Sequence, residues 1–256
     1  MKKWNYYLKR IWSNKLKLAV IALLFILPVY DMYCILRDIQ IGGSVYDPNL
    51  LTFLPSTLFN GAQMVLMWYL PLYFLLIVAD DCIEDVKFGY KNLLITRWGK
   101  GGYFRINIAK GFVISFAVLF FSLALNLLLT QIAFAGGTYL GYDDSTIQSI
   151  PSLKAAFQHP FLTNCLYIVI MSFFAGIVGM GAVAIAMAIP NRFLVYPLVF
   201  LMWYIPSVLP KSIIYAIQPF TEYGLQDVWG TILLVIVLNA AAVAASYIKV
   251  MKYGQV

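Results

Sequence analysis

The chain has 256 residues, of which 62% are hydrophobic and only 11% are charged. A soluble domain carries roughly a quarter of charged residues. The chain therefore has too little polar surface to cover itself in water, and its composition excludes a soluble globular domain. Its net charge of +7 leaves nucleic acid and anionic membranes as the two partners to compare.

Windows of about 20 apolar residues mark helices that can cross a bilayer. The sequence contains six such windows, near residues 18–36, 61–79, 111–134, 161–189, 193–209 and 228–248. They predict an all-α integral membrane protein that forms one transmembrane domain over residues 1–256. Pro71, in the middle of the second span, predicts a kinked helix. Such kinks are tolerated when neighbouring helices satisfy the carbonyl that the proline leaves open.

The distribution of Lys and Arg predicts the orientation of these spans. With the N-terminus in the cytoplasm, the inner segments hold 15 of the 18 basic residues, and the outer segments hold only Arg37, Lys154 and Lys211. This bias follows the positive-inside rule, so both termini are predicted to be cytoplasmic. The basic excess thus indicates topology and attraction to anionic lipid rather than binding to nucleic acid.

Two shorter segments are predicted to lie at the membrane without crossing it. In residues 1–17, Trp4, Leu8, Ile11 and Trp12 follow helical spacing, which is typical of an interfacial amphipathic helix. Residues 210–222 are apolar but too short for a crossing. They indicate a re-entrant or interfacial segment between the fifth and sixth spans.

The loop 80–110, between the second and third spans, is the most informative stretch of the sequence. It opens with four acids and then turns basic, with apolar residues between the charges. We interpret it as a short amphipathic helix near the membrane surface that is offered to a partner. The alternative is an ordinary loop whose positive charge only sets topology.

The four acids of this loop would repel one another on one side of a continuing helix. Lys87, Lys91 or basic groups of another subunit would have to neutralise them. We therefore expect structural salt bridges rather than a catalytic carboxylate pair, because no nearby residue completes a catalytic set. The acids are Asp80, Asp81, Glu84 and Asp85.

The same loop resembles the corresponding loop of ABC-2 type ABC exporter permeases. The resemblance rests on an acid followed by Gly89, Leu93-Leu94, Thr96-Arg97, Tyr103 and Lys110 before the next span. Tyr90 stands where the family often has Thr, and Arg97-Trp98 stand where it often has Pro. An N-terminal interfacial helix and broken outer helices between the last two spans are also family features.

The resemblance implies that this loop holds a coupling helix, which docks on a separate cytosolic ATPase that binds ATP and Mg²⁺. Two permease subunits, alike or related, would pair over two such ATPases. The residues implied in coupling are Phe88, Gly89, Tyr90, Leu93, Leu94 and Arg97. No cofactor is expected on this chain itself.

Polar residues inside the spans give a second set of candidates. Ser122, Asn126 and Thr130 lie four apart on one face of the third span, and Asn239 lies in the sixth. They would line a translocation path or a subunit seam, or they would hold helices of one subunit together. In the fourth span, small residues at helical spacing predict a packing face: Ala175, Gly179, Ala182 and Ala186.

The sequence offers no catalytic or metal-binding motif. Gly99-Lys100-Gly101-Gly102 lacks the first glycine and the Ser or Thr of a phosphate-binding loop, and the three cysteines have no metal-ligand spacing. The chain is therefore not expected to be an enzyme.

The expected function is the permease subunit of an ABC exporter in a bacterial plasma membrane, moving an apolar or amphipathic peptide, lipid or drug. Two alternatives remain. One is a non-transporting immunity or sensor protein that binds a membrane-active peptide. The other is a gradient-driven transporter, for which Asp31 at the end of the first span would be the ionisable group.

Overall fold

The structure is a computed structural model that describes residues 2–42, 46–55, 61–138 and 144–253. These residues fold almost entirely into helices, as predicted. A π-helical turn, Leu75–Ala79, connects the helix that ends at Phe74 to the helix that begins at Asp80. The helices are α1 Lys2–Ser13, α2 Lys15–Gly42, α3 Gly61–Trp68, α4 Leu70–Phe74, α5 Asp80–Lys87, α6 Tyr90–Trp98, α7 Lys100–Ala133, α8 Asp144–Ser149, α9 Pro151–Gln158, α10 Pro160–Ala188, α11 Arg192–Val208, α12 Ile213–Ile217 and α13 Leu225–Tyr253.

Among the described residues, α2, α7, α10 and α13 contain stretches that are long and apolar enough to cross a membrane. The pair Gly61–Trp68 and Leu70–Lys87 adds a fifth crossing if it counts as one span, although it is bent by 58°. The predicted fifth span corresponds to α11, which is apolar and has 17 residues. The membrane-helix character of the chain is therefore confirmed, with four to five crossings by this measure.

The bend in the second predicted span lies at Tyr69, two residues before Pro71. Proline has no N–H and cannot bond the carbonyl four residues before it, which is that of Met67. The indole Nε1 of Trp203, on α11, donates to this oxygen at 2.7 Å. The sequence-based expectation that a neighbouring helix would satisfy the carbonyl left open by a proline kink is thus met here.

A second proline, Pro28 in α2, is accommodated in the same way. The carbonyl four residues before it belongs to Leu24, and Ser122 Oγ of α7 donates to that oxygen at 2.6 Å. One turn further along α7, Asn126 Nδ2 donates to the carbonyl of Pro28 itself at 2.9 Å. Helix α7 therefore stabilises the backbone of α2 on both sides of its proline.

Helix α10 is the central helix of the bundle, since 78% of its most apolar window is buried. Its small residues let α7 approach closely, because a Cβ built on Gly179 would lie 2.6 Å from the carbonyl oxygen of Gly111. The predicted packing face of the fourth span is thereby confirmed. Its members are fully buried: Ala175, Gly179, Ala182 and Ala186.

Residues 46–55 form a buried, largely irregular segment next to the ends of α2, α7 and α10. Its backbone is bonded by side chains of those helices. Phe53 N donates to Asn126 Oδ1 at 2.9 Å, and Asn164 Nδ2 donates to the carbonyl of Asn49 at 2.8 Å. Buried backbone groups need hydrogen-bond partners, and these asparagines supply them.

Helix α1 packs part of its predicted apolar pattern against the bundle and turns the rest outward. Tyr7 and Ile11 are buried, whereas the predicted apolar residues Leu8 and Trp12 are 43% and 72% exposed. The reason is that the phenol ring of Tyr7 packs on charged and aromatic groups of other helices. Leu8 and Trp12 are left available to the membrane interface.

Candidate functional site

The candidate site is the surface segment, residues 88–98, which consists of a two-residue turn and helix α6. Two glycines bound the helix, Gly89 and Gly99, and both have φ of +74°. Residues with a side chain rarely adopt a positive φ. The glycines therefore allow α5, α6 and α7 to run in three different directions. The short helix predicted from the sequence is thus present in the loop 80–110.

The surface segment exposes most of the residues implied in coupling. Phe88, Tyr90 and Leu93 are 63%, 51% and 62% exposed, and Gly89 and Arg97 are exposed as well. Leu94 is the exception, since it is buried and packs in the main hydrophobic core. The structure therefore divides this set into five surface residues and one anchor.

Aromatic contacts hold α6 against the N-terminal helix. The ring of Trp98, the last residue of α6, lies 6.2 Å from that of Tyr6 and 6.0 Å from that of Tyr7. On the other side, Lys100 Nζ donates to the carbonyl of Met251, near the end of α13, at 3.5 Å. Helix α6 thus lies between the N-terminal helix and the last turns of the chain.

A network of ion pairs lies directly behind the surface segment, on α5. Its four acids, Asp80, Asp81, Glu84 and Asp85, are neutralised by four bases from four other helices. We call this set the ion network. Its bases are Arg10 of α1, Lys17 of α2, Lys110 of α7 and Arg192 of α11.

Asp81 is the centre of the ion network and has no exposed surface. Lys110 Nζ lies 3.3 Å from its Oδ2, and Lys17 Nζ donates to its Oδ1. Lys110 is also completely buried, and its ammonium lies 4.5 Å from the centre of the Tyr7 ring. A buried charge needs several such partners, because removing it from water costs several kcal/mol.

Arg10 connects α1 to the network through three acids. Its guanidinium lies 3.0 Å from Asp81, 3.0 Å from Glu84 and 2.5 Å from Asp85. Burial alone would lower the pKa of Arg10, but the neighbouring carboxylates of Asp81 and Asp85 outweigh burial and raise that pKa. Arg10 is therefore permanently charged, and it holds the N-terminal helix on α5.

Arg192 closes the network on the opposite side of α5. Its Nε and Nη2 form a two-pronged contact with the Asp80 carboxylate at 2.7 and 2.6 Å, and Nη2 also lies 3.1 Å from Glu84. Half of the Arg192 side chain is exposed. This contact positions α11 against α5 more than it stabilises the fold, since partly exposed ion pairs contribute about 0–1 kcal/mol.

The ion network confirms the expected structural salt bridges and corrects the expected cations. Lys87 is exposed and Lys91 is half-buried. The bases of the network come from the same chain, at positions 64 to 75 residues before, 29 after, or 108 to 112 after their partners. One signal in the sequence points to three of them, because Lys17, Lys110 and Arg192 lie at the boundaries of predicted spans. Their pairing with particular acids depends on helix packing.

Because all four acids are neutralised, the surface around the segment is basic. The remaining cations at this end of the bundle point outward or lie half-buried: Lys9, Lys15, Lys87, Lys91, Arg97, Lys100, Arg105, Lys249 and Lys252. In the described part of the chain, His, Cys, Asp and Glu form no group of three or more that could hold a metal ion. The site therefore presents exposed apolar side chains that are surrounded by positive charge.

The residues predicted for a translocation path are all buried within this chain. Ser122 and Asn126 satisfy the backbone around Pro28, as described above. Thr130 Oγ1 donates to the carbonyl of Leu127 at 2.9 Å, and Asn239 Nδ2 donates to that of Val235 at 2.8 Å. Of the two open interpretations, these contacts favour hydrogen bonding inside one subunit. A path along these residues stays a prediction.

Comparison with known proteins finds a full-length relative. No family model matches the chain, and no solved structure matches it. The protein named "Uncharacterized protein YybM" of Bacillus subtilis (strain 168) is 30% identical over 256 aligned residues, which cover 97% of this chain and 98% of that relative. The similarity extends over nearly the full length of both proteins, and the chain therefore belongs to the same family as YybM.

Proposed function

We propose that the chain is the membrane-spanning subunit of an ABC exporter, with the surface segment as the contact for a separate cytosolic ATPase. The observation that carries the proposal is the combination of exposed Phe88, Tyr90 and Leu93 with the ion network behind them. A hydrophobic patch of this kind is typical of an interaction site. The resemblance of the loop to ABC-2 permeases assigns the partner.

In this proposal the chain crosses the membrane six times, with both termini in the cytoplasm. Helix α11 would be the additional crossing, since 17 residues at 1.5 Å per residue span about 26 Å, close to a hydrocarbon core of about 30 Å. The contact of Lys100 with Met251 and that of Tyr7 with Trp98 support a shared side for both termini. The membrane would be a bacterial plasma membrane.

The mechanism would transmit force from the ATPase to the bundle. Two permease subunits pair over two ATPases, and ATP and Mg²⁺ bind only to the ATPases. The apolar side chains of the surface segment fill a cleft on the ATPase, while Arg97 pairs with an acid there. The ion network ties α5 to α1, α2, α7 and α11, so a push on α6 moves these helices together.

The cargo would be an apolar or amphipathic peptide, lipid or drug. Charged side chains within the long helices are few, and a path with few charges suits such a molecule. Ser122, Asn126, Thr130 and Asn239 remain the predicted residues of the path. Any role there would come in addition to the hydrogen bonds that they make within the chain.

The test is a pull-down of the tagged chain from native membranes with identification of the proteins that accompany it. We expect a soluble protein with a phosphate-binding loop. Leu93→Asp should reduce its recovery at least about ten-fold, which corresponds to about 1.4 kcal/mol of binding energy. Leu94→Asp is less suitable, because Leu94 is buried and its replacement would disturb the fold.

Asn92→Asp is the matched control, since it adds the same charge at the exposed neighbouring position and should leave recovery unchanged. If the chain comes down alone, or if Leu93→Asp retains the ATPase, the coupling proposal is wrong. Recovery of the chain without any partner protein would favour the immunity or sensor protein. The gradient-driven transporter would be favoured by two results together. Asp31→Asn would abolish transport, and transport by the unmodified protein would survive ATP depletion while the ion gradient is held.

A further inference from the structure

A cavity of about 540 Å³ lies far from the ion network, between α3, the end of α11 and helix α12. This volume falls within the range of small-molecule sites, roughly 300–1,000 Å³. None of the residues that line it is charged. A ligand with a formal charge would therefore be desolvated without a partner, at a cost of several kcal/mol.

One residue of the lining holds a buried acceptor without a partner. Gln63 is 98% buried, and its Nε2 donates to the carbonyls of Phe53, Leu54 and Pro55 at 2.9–3.3 Å. These three bonds set the orientation of the amide, because the flipped amide would turn its oxygen toward three carbonyl oxygens. Gln63 Oε1 accepts no hydrogen bond from the residues that the structure describes.

The two serines in the lining also use their donors inside the protein. Ser207 Oγ donates to the carbonyl of Trp203 at 2.8 Å, and Ser212 Oγ donates to that of Ser207 at 2.7 Å. Each hydroxyl oxygen retains capacity to accept. The lining also contains the Tyr215 hydroxyl and the Gln218 amide, which can donate as well as accept. The polar part of the lining therefore suits a ligand that carries hydroxyl or amide groups, since these groups both donate and accept.

The rest of the lining is apolar and adaptable. Met64 and Met67 contribute flexible thioether side chains, and the ring of Trp68 lies beside them. At roughly 30 Å³ per water-sized group, the cavity has room for about 18 heavy atoms. This matches a head of a few polar atoms and a single medium-length alkyl chain.

We propose that this cavity binds an uncharged, single-chain amphipath whose head group carries hydroxyl or amide donors. The head lies against the serine hydroxyl groups, the Tyr215 hydroxyl and the Gln218 amide, and the chain packs on the methionines and Trp68. The inference does not depend on coupling to an ATPase, because every residue that carries it lies in this cavity.

The probe is a diazirine-bearing analogue of monolauroylglycerol, photocrosslinked to the full chain in phosphatidylcholine nanodiscs. Peptide mass spectrometry locates the label. We expect it on Met64, Met67, Trp68 or Tyr215, with competition by unlabelled monolauroylglycerol. Dodecanoate at alkaline pH, which has the same chain and a carboxylate, should compete at least about ten-fold less, because its charge finds no partner.

Met64→Trp should fill the cavity and reduce this labelling at least about ten-fold, whereas Met64→Leu, which conserves volume, should retain it. If Met64→Trp does not fold, the preference of the unmodified protein for monolauroylglycerol over dodecanoate still decides. Equal competition by the two, or label spread over outward residues such as Phe121, which is 62% exposed, would overturn the proposal.

Discussion

The indole of Trp203 donates to the carbonyl oxygen of Met67 at 2.7 Å, and that oxygen is the one that Pro71 leaves without a helical partner. Ser122 does the same for Leu24 next to Pro28 at 2.6 Å. In both cases a polar side chain on a neighbouring span compensates a proline. The bent helices are therefore stable only in the assembled bundle.

The first prediction concerns this compensation at Pro71. Trp203→Phe should lower the free energy of unfolding by about 1–3 kcal/mol, because it leaves a buried carbonyl unsatisfied. Denaturant titration of the purified protein in detergent would measure the change. In a Pro71→Ala background the same replacement should cost less, since position 71 then carries an N–H for Met67. An equal cost in both backgrounds would contradict the explanation.

The second prediction concerns the centre of the ion network. Asp81→Asn should destabilise the protein by about 3–5 kcal/mol, because Lys110 and Lys17 would remain buried without their carboxylate. Thermal unfolding and the yield of folded protein would report the loss. Adding Lys110→Met to Asp81→Asn should recover part of the stability.

Glu84→Gln is the matched control for Asp81→Asn, since the Glu84 side chain is 29% exposed. Its cost should stay near 0–1 kcal/mol, as is usual for partly exposed pairs. The central role of Asp81 would be refuted by equal losses in the two variants.

The third prediction concerns the contact between α7 and α10. A Cβ on Gly179 would lie 2.0 Å from Ser115 Oγ and 2.6 Å from the Gly111 carbonyl oxygen. Gly179→Ala should therefore cost about 1–3 kcal/mol, as overpacked cores do. Gly61→Ala is the control, because no atom of the described residues lies within 4 Å of its added Cβ. A neutral Gly179→Ala would mean that the two helices are further apart than described.

The fourth prediction concerns the glycines that bound α6. Gly89→Ala should introduce about 1–2 kcal/mol of backbone strain, since Gly89 has the left-handed helical conformation. Gly99→Ala should introduce about 1–3 kcal/mol, since its φ of 74° with ψ of 157° is a conformation adopted almost only by glycine. Neither added Cβ meets another atom of the described residues, so the effect should stay local. Faster amide hydrogen exchange in α6 with an unchanged global melting temperature is the expected result.

Gly230→Ala, within α13, provides the reference for these variants. Its added Cβ also meets no atom, and alanine is the better helix former by about 0.5–1 kcal/mol. This change should be neutral or stabilising and should leave α6 unaffected. Slow exchange in α6 of both glycine variants would show that the turns tolerate a side chain.

Local sequence features predicted much of this architecture for direct physical reasons. Apolar windows identified the long helices, because their length and hydropathy must match a bilayer wherever they pack. Pro71 predicted the bend, since the missing N–H is a covalent property. The four acids next to one another on α5 predicted ion pairs, because such a concentration of like charge is unstable alone.

Three features depended on tertiary structure. The bases that neutralise Asp81 are Lys17 and Lys110, far away along the chain, and only the packing of α2 and α7 on α5 brings them together. Helix α1 buries Tyr7 because a buried ammonium lies against its ring, which periodicity does not report. The uncharged cavity beside Gln63 is formed by three segments that meet only in the folded chain.

The sequence by itself thus determined that this protein is helical, that its apolar helices are long enough to cross a membrane, that it is kinked near Pro71 and that the acids of α5 need cations. Hydropathy, the length of an apolar segment and the chemistry of single residues are local properties, so they can be predicted from the sequence alone. Only the tertiary structure decided which base meets which acid, and that Ser122 and Asn126 satisfy the backbone of α2. Those choices depend on distances between helices, which packing sets.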